Sequence, residues 1–294
     1  MAGKQVTELD ALPSFTDNSL LPVHNGAGLK KGLLSQLANY LGTKFNNPNL
    51  LINPDFKINQ RGATSYEQQG YSVDRWKIWN VTVTPSTSGG ITVKNDKYTD
   101  TGTFIQILEN ATEGDSTLSC YVTSVTGTVT MFADDNTQVV LKQGLNVVHK
   151  SNSTKNFSIF LNRGTSITLK WVKLEQGKVA TSFIAPNPAE ELEKCLRFSR
   201  YIPTIYCVPL RRYIGDISNA RAYYLPLGCV FETKLRAKGT ISLKGGVFDS
   251  TSLSLGDIKE IDYSPDEIKQ VIMPQEMTPW TLILKKVFID AEIY

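Results

Sequence analysis

From residue 49 to about residue 186, apolar and polar residues alternate in short runs such as WKIWNVTVTP, GITVKN, FIQILEN, STLSCYVTSV, GTVTMFAD, FSIFLN and SITLKWVKLE. Each run is rich in Val, Ile, Thr and aromatic residues, which suit a pleated, half-buried surface, and each is bounded by Gly, Asn, Asp or Ser. A period of two, with turn signals every ~8 to 12 residues, predicts an antiparallel jelly-roll β-sandwich rather than a parallel sheet with crossover helices. Similar runs return after residue 201 in IYCVPLRRYIG, ARAYYLPLGCVFE, GTISLKG, TSLSLGD, KQVIMP and WTLILKKVFIDAEIY, which predicts a second, smaller β-domain. Pro203, Pro209 and Pro226 lack the N–H that a ladder needs, so they belong at sheet edges or bulges.

Two segments follow a helical period instead. In GLKKGLLSQLANYLG, Leu29, Leu33, Leu37 and Leu41 recur every four residues, with Leu34 and Tyr40 widening the stripe, and this predicts one amphipathic helix. Isolated helices shorter than ~12 to 15 residues are marginal in water, so the stripe must bury against its own β-domain or against copies of itself. These four leucines are the candidate particle-attachment or oligomer contacts. In NPAEELEKCLRFSRYI, Asn187 suits an N-cap, Pro188 the first helical position, and Glu190 and Glu191 the positive end of the helix dipole. A helix over residues 188–200 is expected, with Leu192, Cys195, Leu196 and Ser199 on one face.

The chain then reads as an N-terminal segment (1–48), a jelly roll (49–186), a connector helix (187–200) and a C-terminal β-domain (201–294), a mainly β protein. A length of 294 residues exceeds one ordinary domain, and 41% hydrophobic with 20% charged residues is a globular balance. The net charge of +3 comes from dispersed Lys and Arg, which points away from nucleic acid and anionic membranes as partners. Cys120, Cys195, Cys207 and Cys229 show no CxxC spacing and lie far from His24 and His149, so they read as small buried hydrophobes in a reducing compartment, not a zinc site. MAGKQVTELDALPSF lacks the apolar core of a secretory signal, and no window approaches the ~20 apolar residues of a membrane span.

Three stretches carry a resemblance: NLLINPDFKINQRG (residues 49–62), YSVDRW (71–76) and KLEQGKVATSF (173–183). They resemble the carbohydrate-binding-module-like jelly rolls of phage and prophage tail fibre and spike proteins, in which an Asn-Leu-Leu-x-Asn strand opens the domain and Leu-Glu-x-Gly closes it. The likeness continues through EELEKCLRFSRY, similar to the family's Cys-x-Arg-Tyr segment with Phe198 in the aromatic place, and into FIDAEIY. It covers roughly residues 49–294, while ELDALPSFTDNSLLPV is similar to the adaptor end of phage appendages. The resemblance implies a structural subunit of a virion appendage on tail, collar or head, made in a bacterial host cytoplasm without a signal peptide and expected to be homotrimeric. Its N-terminal segment would hold other virion proteins. The family's frequent Asn-Gly-Asp is replaced by Asn53-Pro54-Asp55, a departure that counts against a ligand or ion contact carried by that turn.

The motifs also have a direct structural reading: Asn53 and Asp55 can close an Asx turn, Trp76 can fill the sandwich core, and Asp74 with Arg75 can tie a loop to a sheet edge. Asp55 and Glu175 are the carboxylates to weigh for a structural calcium, although two are fewer oxygen donors than that ion takes. No other cofactor is implied. For glycan cleavage, a pair of carboxylates must flank the bond. Asp134 and Asp135 sit in a turn signal, and Glu190 and Glu191 at a helix start, so neither pair suits that chemistry. The two histidines have no nucleophile motif around them. The sequence is read as non-enzymatic, with an inter-subunit depolymerase site the least favoured alternative. Host-surface glycan binding is the stronger alternative, with Tyr66, Tyr71, Trp79 and Tyr98 near turns as candidate stacking residues.

Overall fold

The computed structural model describes residues 20–24, 29–33, 37, 47–67, 69–132, 138–213, 220–230, 235–237, 240–243, 246–248, 251–252, 260–263, 265, 267–274 and 282–292. It is a mainly β protein built from antiparallel sheets. The first two strands, β1 (Leu20–His24) and β2 (Leu29–Leu33), pair only with one another, with Leu20 opposite Leu33 and His24 opposite Leu29. This corrects the single helix expected over the leucine stripe. Leu29 and Leu33 are in strand, Leu37 is helical and exposed, and Leu41 lies outside the described residues. Asn25-Gly26 is a strong hairpin signal, and Gly32 weakens a helix interior. The four-residue spacing of Leu29 and Leu33 is equally compatible with one face of a strand.

The jelly roll has two layers. One holds six strands in the spatial order β10 (Gln138–Val140), β9 (Val129–Phe132), β12 (Asn156–Leu161), β7 (Gly102–Ile107), β4 (Lys77–Trp79) and β3 (Gly70–Tyr71). The other holds five, in the order β11 (Gly144–Lys150), β8 (Ser116–Thr126), β13 (Thr165–Gln176), β6 (Ile91–Asn95) and β5 (Thr82–Pro85). The predicted alternation sets the packing: Val129 and Met131, Phe157 and Ile159, and Val93 and Ile91 point inward and are buried. Trp76 is the centre of this core. It stacks on Phe104 at 4.7 Å with the rings 7° apart, meets Phe157 edge-on at 5.9 Å, and donates its indole N–H to Asn53 O at 3.0 Å. Phe56 of the opening motif joins the same cluster, 5.2 Å from Trp76 and 5.9 Å from Phe104.

Helix α1 (Pro188–Leu196) begins as expected, with the Asn187 side chain accepting from Ala189 N, and stops at Arg197. It is shorter than the expected 188–200 because Ser199 already begins a strand. Its buried face differs too: Glu191 and Cys195 are buried, whereas Leu192 is 37% exposed. Glu191 is drawn in because its carboxylate accepts the buried Asn53 N–H at 2.5 Å.

The remaining strands are β14 (Ser199–Tyr213), β15 (Ala220–Val230), β16 (Thr240–Leu243), β17 (Gly246–Phe248), β18 (Thr251–Ser252), β19 (Glu260–Tyr263), β20 (Glu267–Pro274) and β21 (Leu282–Asp290). They form one eight-stranded sheet. Strand β14 changes partner along its length, pairing with β21 over Ser199 to Cys207 and with β15 from Val208 onward. Each half thus has one ladder partner among the described residues, which is where Pro203 and Pro209 can sit. Pro226 falls in the break in register between Tyr224 and Cys229. The sequence expectation for the prolines holds.

Candidate functional site

The residues of YSVDRW form a tight turn, with Ser72 N donating to Trp76 O at 2.8 Å and Trp76 N to Val73 O at 3.0 Å. Arg75 lies in this turn at φ 72°, a left-handed conformation uncommon outside glycine that costs about 1 kcal/mol or more. The conformation aims its backbone N–H at Glu292 Oε1, 3.0 Å away, while Nη1 meets Glu292 Oε2 at 2.5 Å and Nη2 donates to Ile107 O at 2.6 Å. The Arg75 guanidinium also covers the Phe198 ring at 3.6 Å from the centroid. The side chains of Arg75 and Glu292 are 1% and 0% exposed, so this is a fully buried ion pair between the jelly roll and the residues that follow β21.

Asp74 turns the other way. Its carboxylate accepts from Gln60 N and Gln60 Nε2, both at 2.7 Å, and from Ser199 Oγ at 2.9 Å. Arg61 bonds Asp290 at 3.1 Å and approaches Glu292 at 3.9 Å. Asn53, at φ 56°, donates to Ile58 O and Asp74 O and accepts from Ile58 N, the expected Asx-type closure. Asp74 and Arg75 were expected to tie a loop to a sheet edge. They instead bind the opening turn, the helix end, β14 and the chain end following β21 into one buried polar cluster.

Burial dominates the electrostatics of this cluster. Desolvation raises the carboxyl pKa of Glu292 above its ordinary range, against the opposing pull of Arg75 and Arg61. Desolvation likewise raises Asp74, opposed first by Arg61 and then by the Gln60 and Ser199 hydrogen bonds. For Arg61, burial works against the charge, but Glu292, Asp290 and Asp74 outweigh it and hold the pKa up. Cys195 and Cys120 are buried free thiols, and desolvation raises both, Cys120 to about 12.

The third motif forms a second buried pair. Lys173 Nζ lies 3.1 Å from Glu175 Oε2 and donates to Thr181 Oγ1 at 2.5 Å, and Thr181 N donates to Glu175 Oε1 at 2.9 Å. Asp55 pairs with Lys57 at 2.8 Å. The two carboxylates weighed for calcium are thus each held by a lysine. Among the described residues no group of three or more His, Cys, Asp or Glu is placed to hold a metal.

A cleft of about 530 Å³ opens at the same junction. Leu108, Phe198 and Arg75 lie in its wall, and Glu109, Asn110 and Glu113 line it from the loop after β7. Glu109 is paired with Arg197 at 3.2 Å. Polar side chains, among them Gln106, Thr112 and Gln176, outnumber the apolar ones in this lining, unlike the mostly apolar walls of small-molecule sites.

Among the four tyrosine and tryptophan candidates, Tyr98 bonds the backbone of Glu67 beside Tyr66, and Tyr66 and Tyr71 both lie near Arg61. Tyr66 is half-buried with its hydroxyl donating to Asn59 Oδ1. Tyr71 is half-buried with the Arg61 guanidinium 5.6 Å from its ring centroid, and Trp79 is 47% exposed. The more continuous aromatic row lies elsewhere, on the five-stranded sheet: Trp171 stacks on Phe183 at 4.7 Å and 2°, and Tyr121 stands 6.1 Å from Trp171. Its sequence signal was the alternation that puts Cys120 and Val122 inward and Tyr121 outward. Of the carboxylate pairs considered for glycan cleavage, Glu190 and Glu191 start α1, and Asp134 and Asp135 lie outside the described residues. His149 Nδ1 is 3.0 Å from Thr117 Oγ1, and His24 lies in β1.

No family model and no curated protein matches the chain. Among solved structures, that of PfGH50B is similar over 59% of this chain and 38% of its own, at 9% identity and a TM-score of 0.25. This chain therefore spans well under half of that protein, and a likeness so low carries no argument about fold or activity.

Proposed function

We propose that the chain is a non-enzymatic structural subunit of a phage-like virion appendage, attached through its N-terminal segment and projecting the jelly roll and C-terminal sheet as one stiff unit. One observation carries the reading: two of the three motifs that resemble tail fibre and spike proteins, NLLINPDFKINQRG and YSVDRW, meet Ser199 and Glu292 in a buried joint, with Arg75 paired to Glu292 and Asp74 bonded to Ser199. A joint of this kind suits a rod that must transmit orientation from one β-unit to the next. Symmetric association, as in a homotrimer, would protect sheet edges while building length. Labelling intact particles with an antibody to the C-terminal sheet tests the reading. Signal on an appendage is the expected result, and protein found only in the soluble fraction of lysed cells overturns it.

A second reading, recognition of a host-surface glycan, is favoured by the Tyr121, Trp171 and Phe183 row, because flat rings with apolar faces stack on sugar rings. Binding of the full chain to host polysaccharide that is lost in Trp171→Ala would support it. Equal binding by that variant would remove this row from consideration.

A further inference from the structure

Strands β8 and β13 fall out of step on the outer face of the five-stranded sheet. Thr168 pairs with Ser124, Leu169 with Val122 and Trp171 with Tyr121, which leaves Lys170 as an extra residue on β13 and Thr123 on β8. Leu169 and Val172 both face the core, so Lys170 and Trp171 between them stand together on the outer face, opposite the single Tyr121. This is a β-bulge, a device that re-aims a side chain and is frequent beside functional sites. Two contacts hold it: Thr123 Oγ1 donates to Thr168 O at 3.0 Å, and Gly90 packs where a Cβ would lie 2.8 Å from Leu169 O. Its result is a cation beside an aromatic ring, with Lys170 Nζ 5.9 Å from the Tyr121 centroid. Leu145 of β11 continues the rung on the far side of Tyr121, and the two are 60% and 38% exposed.

The charge around this rung has one sign. Strands β5, β6, β8, β11 and β13, with residues 177–186 that follow, contain five lysines, Lys94, Lys150, Lys170, Lys173 and Lys178, and one carboxylate, Glu175. Glu175 is buried and paired with Lys173, and Lys178 is paired with Asp115. Lys170 is exposed and, among the described residues, makes a ring contact and no ion pair. An apolar ring face flanked by an ammonium free of any carboxylate complements a pyranose that carries a carboxylate: the C–H face of the sugar stacks, and its acid meets the cation. We infer that this rung binds a uronic-acid-containing polysaccharide, with Tyr121 and Trp171 against the sugar rings and Lys170 on the carboxylate. The inference rests on the glycan-recognition reading above and adds the charge class of the glycan. A nucleic-acid strand places a phosphate about every 3.4 Å, a density that Lys170 does not match, since Lys94 lies opposite Ser166 at the other end of β13.

Isothermal titration of the full chain with polygalacturonate, alginate and hyaluronan, each beside its carboxyl-reduced form, tests it. At least one acidic polymer should bind, and its reduced form should bind about threefold or more weakly, the scale of an exposed charge contact. Lys170→Gln should bring the acidic polymer down to the level of the reduced one and leave the reduced one unchanged, a coupling that a merely structural lysine would not show. Trp171→Ala should weaken both forms about tenfold, since aromatic anchors dominate such contacts. Should that variant fold poorly by circular dichroism, Tyr121→Ala alters an exposed position and should act in the same way. Lys77→Gln, on the other sheet, removes the same charge and should have no effect. Binding of none of the three acidic polymers, equal binding of acid and reduced forms, or equal weakening by Lys77→Gln would each overturn the inference, as would single-stranded DNA binding as tightly as the acidic polymers. The outcomes separate it from the reading it rests on. Reduced and acidic polymers bound alike, and both lost in Trp171→Ala, sink only the charge class. Acidic polymer that depends on Lys170 but is indifferent to Trp171→Ala and Tyr121→Ala sinks stacking on this row, and the inference with it.

Discussion

Replacing Glu292 by Ala should be among the most damaging single changes in the protein. The carboxylate accepts from the Arg75 backbone N–H and guanidinium and sits near Arg61, and both members of the principal pair are essentially inaccessible to water. Removing it leaves Arg75 with the Ile107 carbonyl and the Phe198 ring, neither of which neutralises a full charge. Breaking a buried pair from one side costs about 3 to 5 kcal/mol, because an uncompensated charge remains. By contrast, Arg197→Ala removes a partly exposed pair with Glu109 and should cost about 0 to 1 kcal/mol. Replacing both buried partners by Met should recover most of the loss. The pH dependence has a definite sign. The folded pKa of Glu292 is raised by burial, so a proton-linked increment of its contribution is fully present below the unfolded value and is lost as pH rises through the folded value, while its bonds to Arg75 remain. Glu292→Gln should therefore compare least favourably with wild type at acid pH and more favourably toward neutrality. Urea unfolding of these variants at pH 4 and pH 7, followed by far-ultraviolet circular dichroism, reads all of these differences. A loss below about 1 kcal/mol for Glu292→Ala at neutral pH would refute the account of the joint.

Three further outcomes follow from particular contacts. Trp76→Ala should cost about 3 to 5 kcal/mol in the same assay, since it empties the centre of the aromatic core and removes the bond to Asn53 O. Gly90→Ala should destabilise the hairpin joining β5 and β6, because Gly90 has φ +87° and an added Cβ would lie 2.8 Å from the Leu169 carbonyl oxygen; a lowered melting temperature would register it. Cys120 and Cys195 should resist iodoacetamide in the native protein at pH 8 and react on unfolding, because burial raises both thiols; mass spectrometry of each site checks this.

The strands and the helix start were legible because they are written locally. A period of two places Phe104 and Phe157 inward without knowledge of their partners, and Asn187-Pro188 marks a helix start. The leader misled because the spacing of Leu29 and Leu33 fits a strand face as well as a helix face, and the adjacent Asn25-Gly26 signal decides between them. The joint could not be read at all. Arg75 and Glu292 are 217 residues apart, and nothing near either one names the other. Glu191 looked like a dipole-stabilising surface acid, and its second role, accepting the Asn53 N–H, exists only once the opening turn packs on the helix.

This division bears on what the motif resemblance can mean. Asn53, Asp74, Arg75, Trp76, Glu175 and Glu292 are all buried, and each is occupied by a partner within the chain. A ligand from solution would have to displace those partners, so these residues can report how the β-units are joined but cannot carry a preference for one surface over another. Recognition, of a glycan or of another copy, has to be written in the outward positions of the sheets, where Tyr121 and Trp171 lie on one layer and Phe132, Phe160 and Trp79 on the other. Those positions tolerate exchange without loss of the core alternation. Chains sharing the buried motifs can therefore differ in partner, and the outer faces are where such differences should be sought.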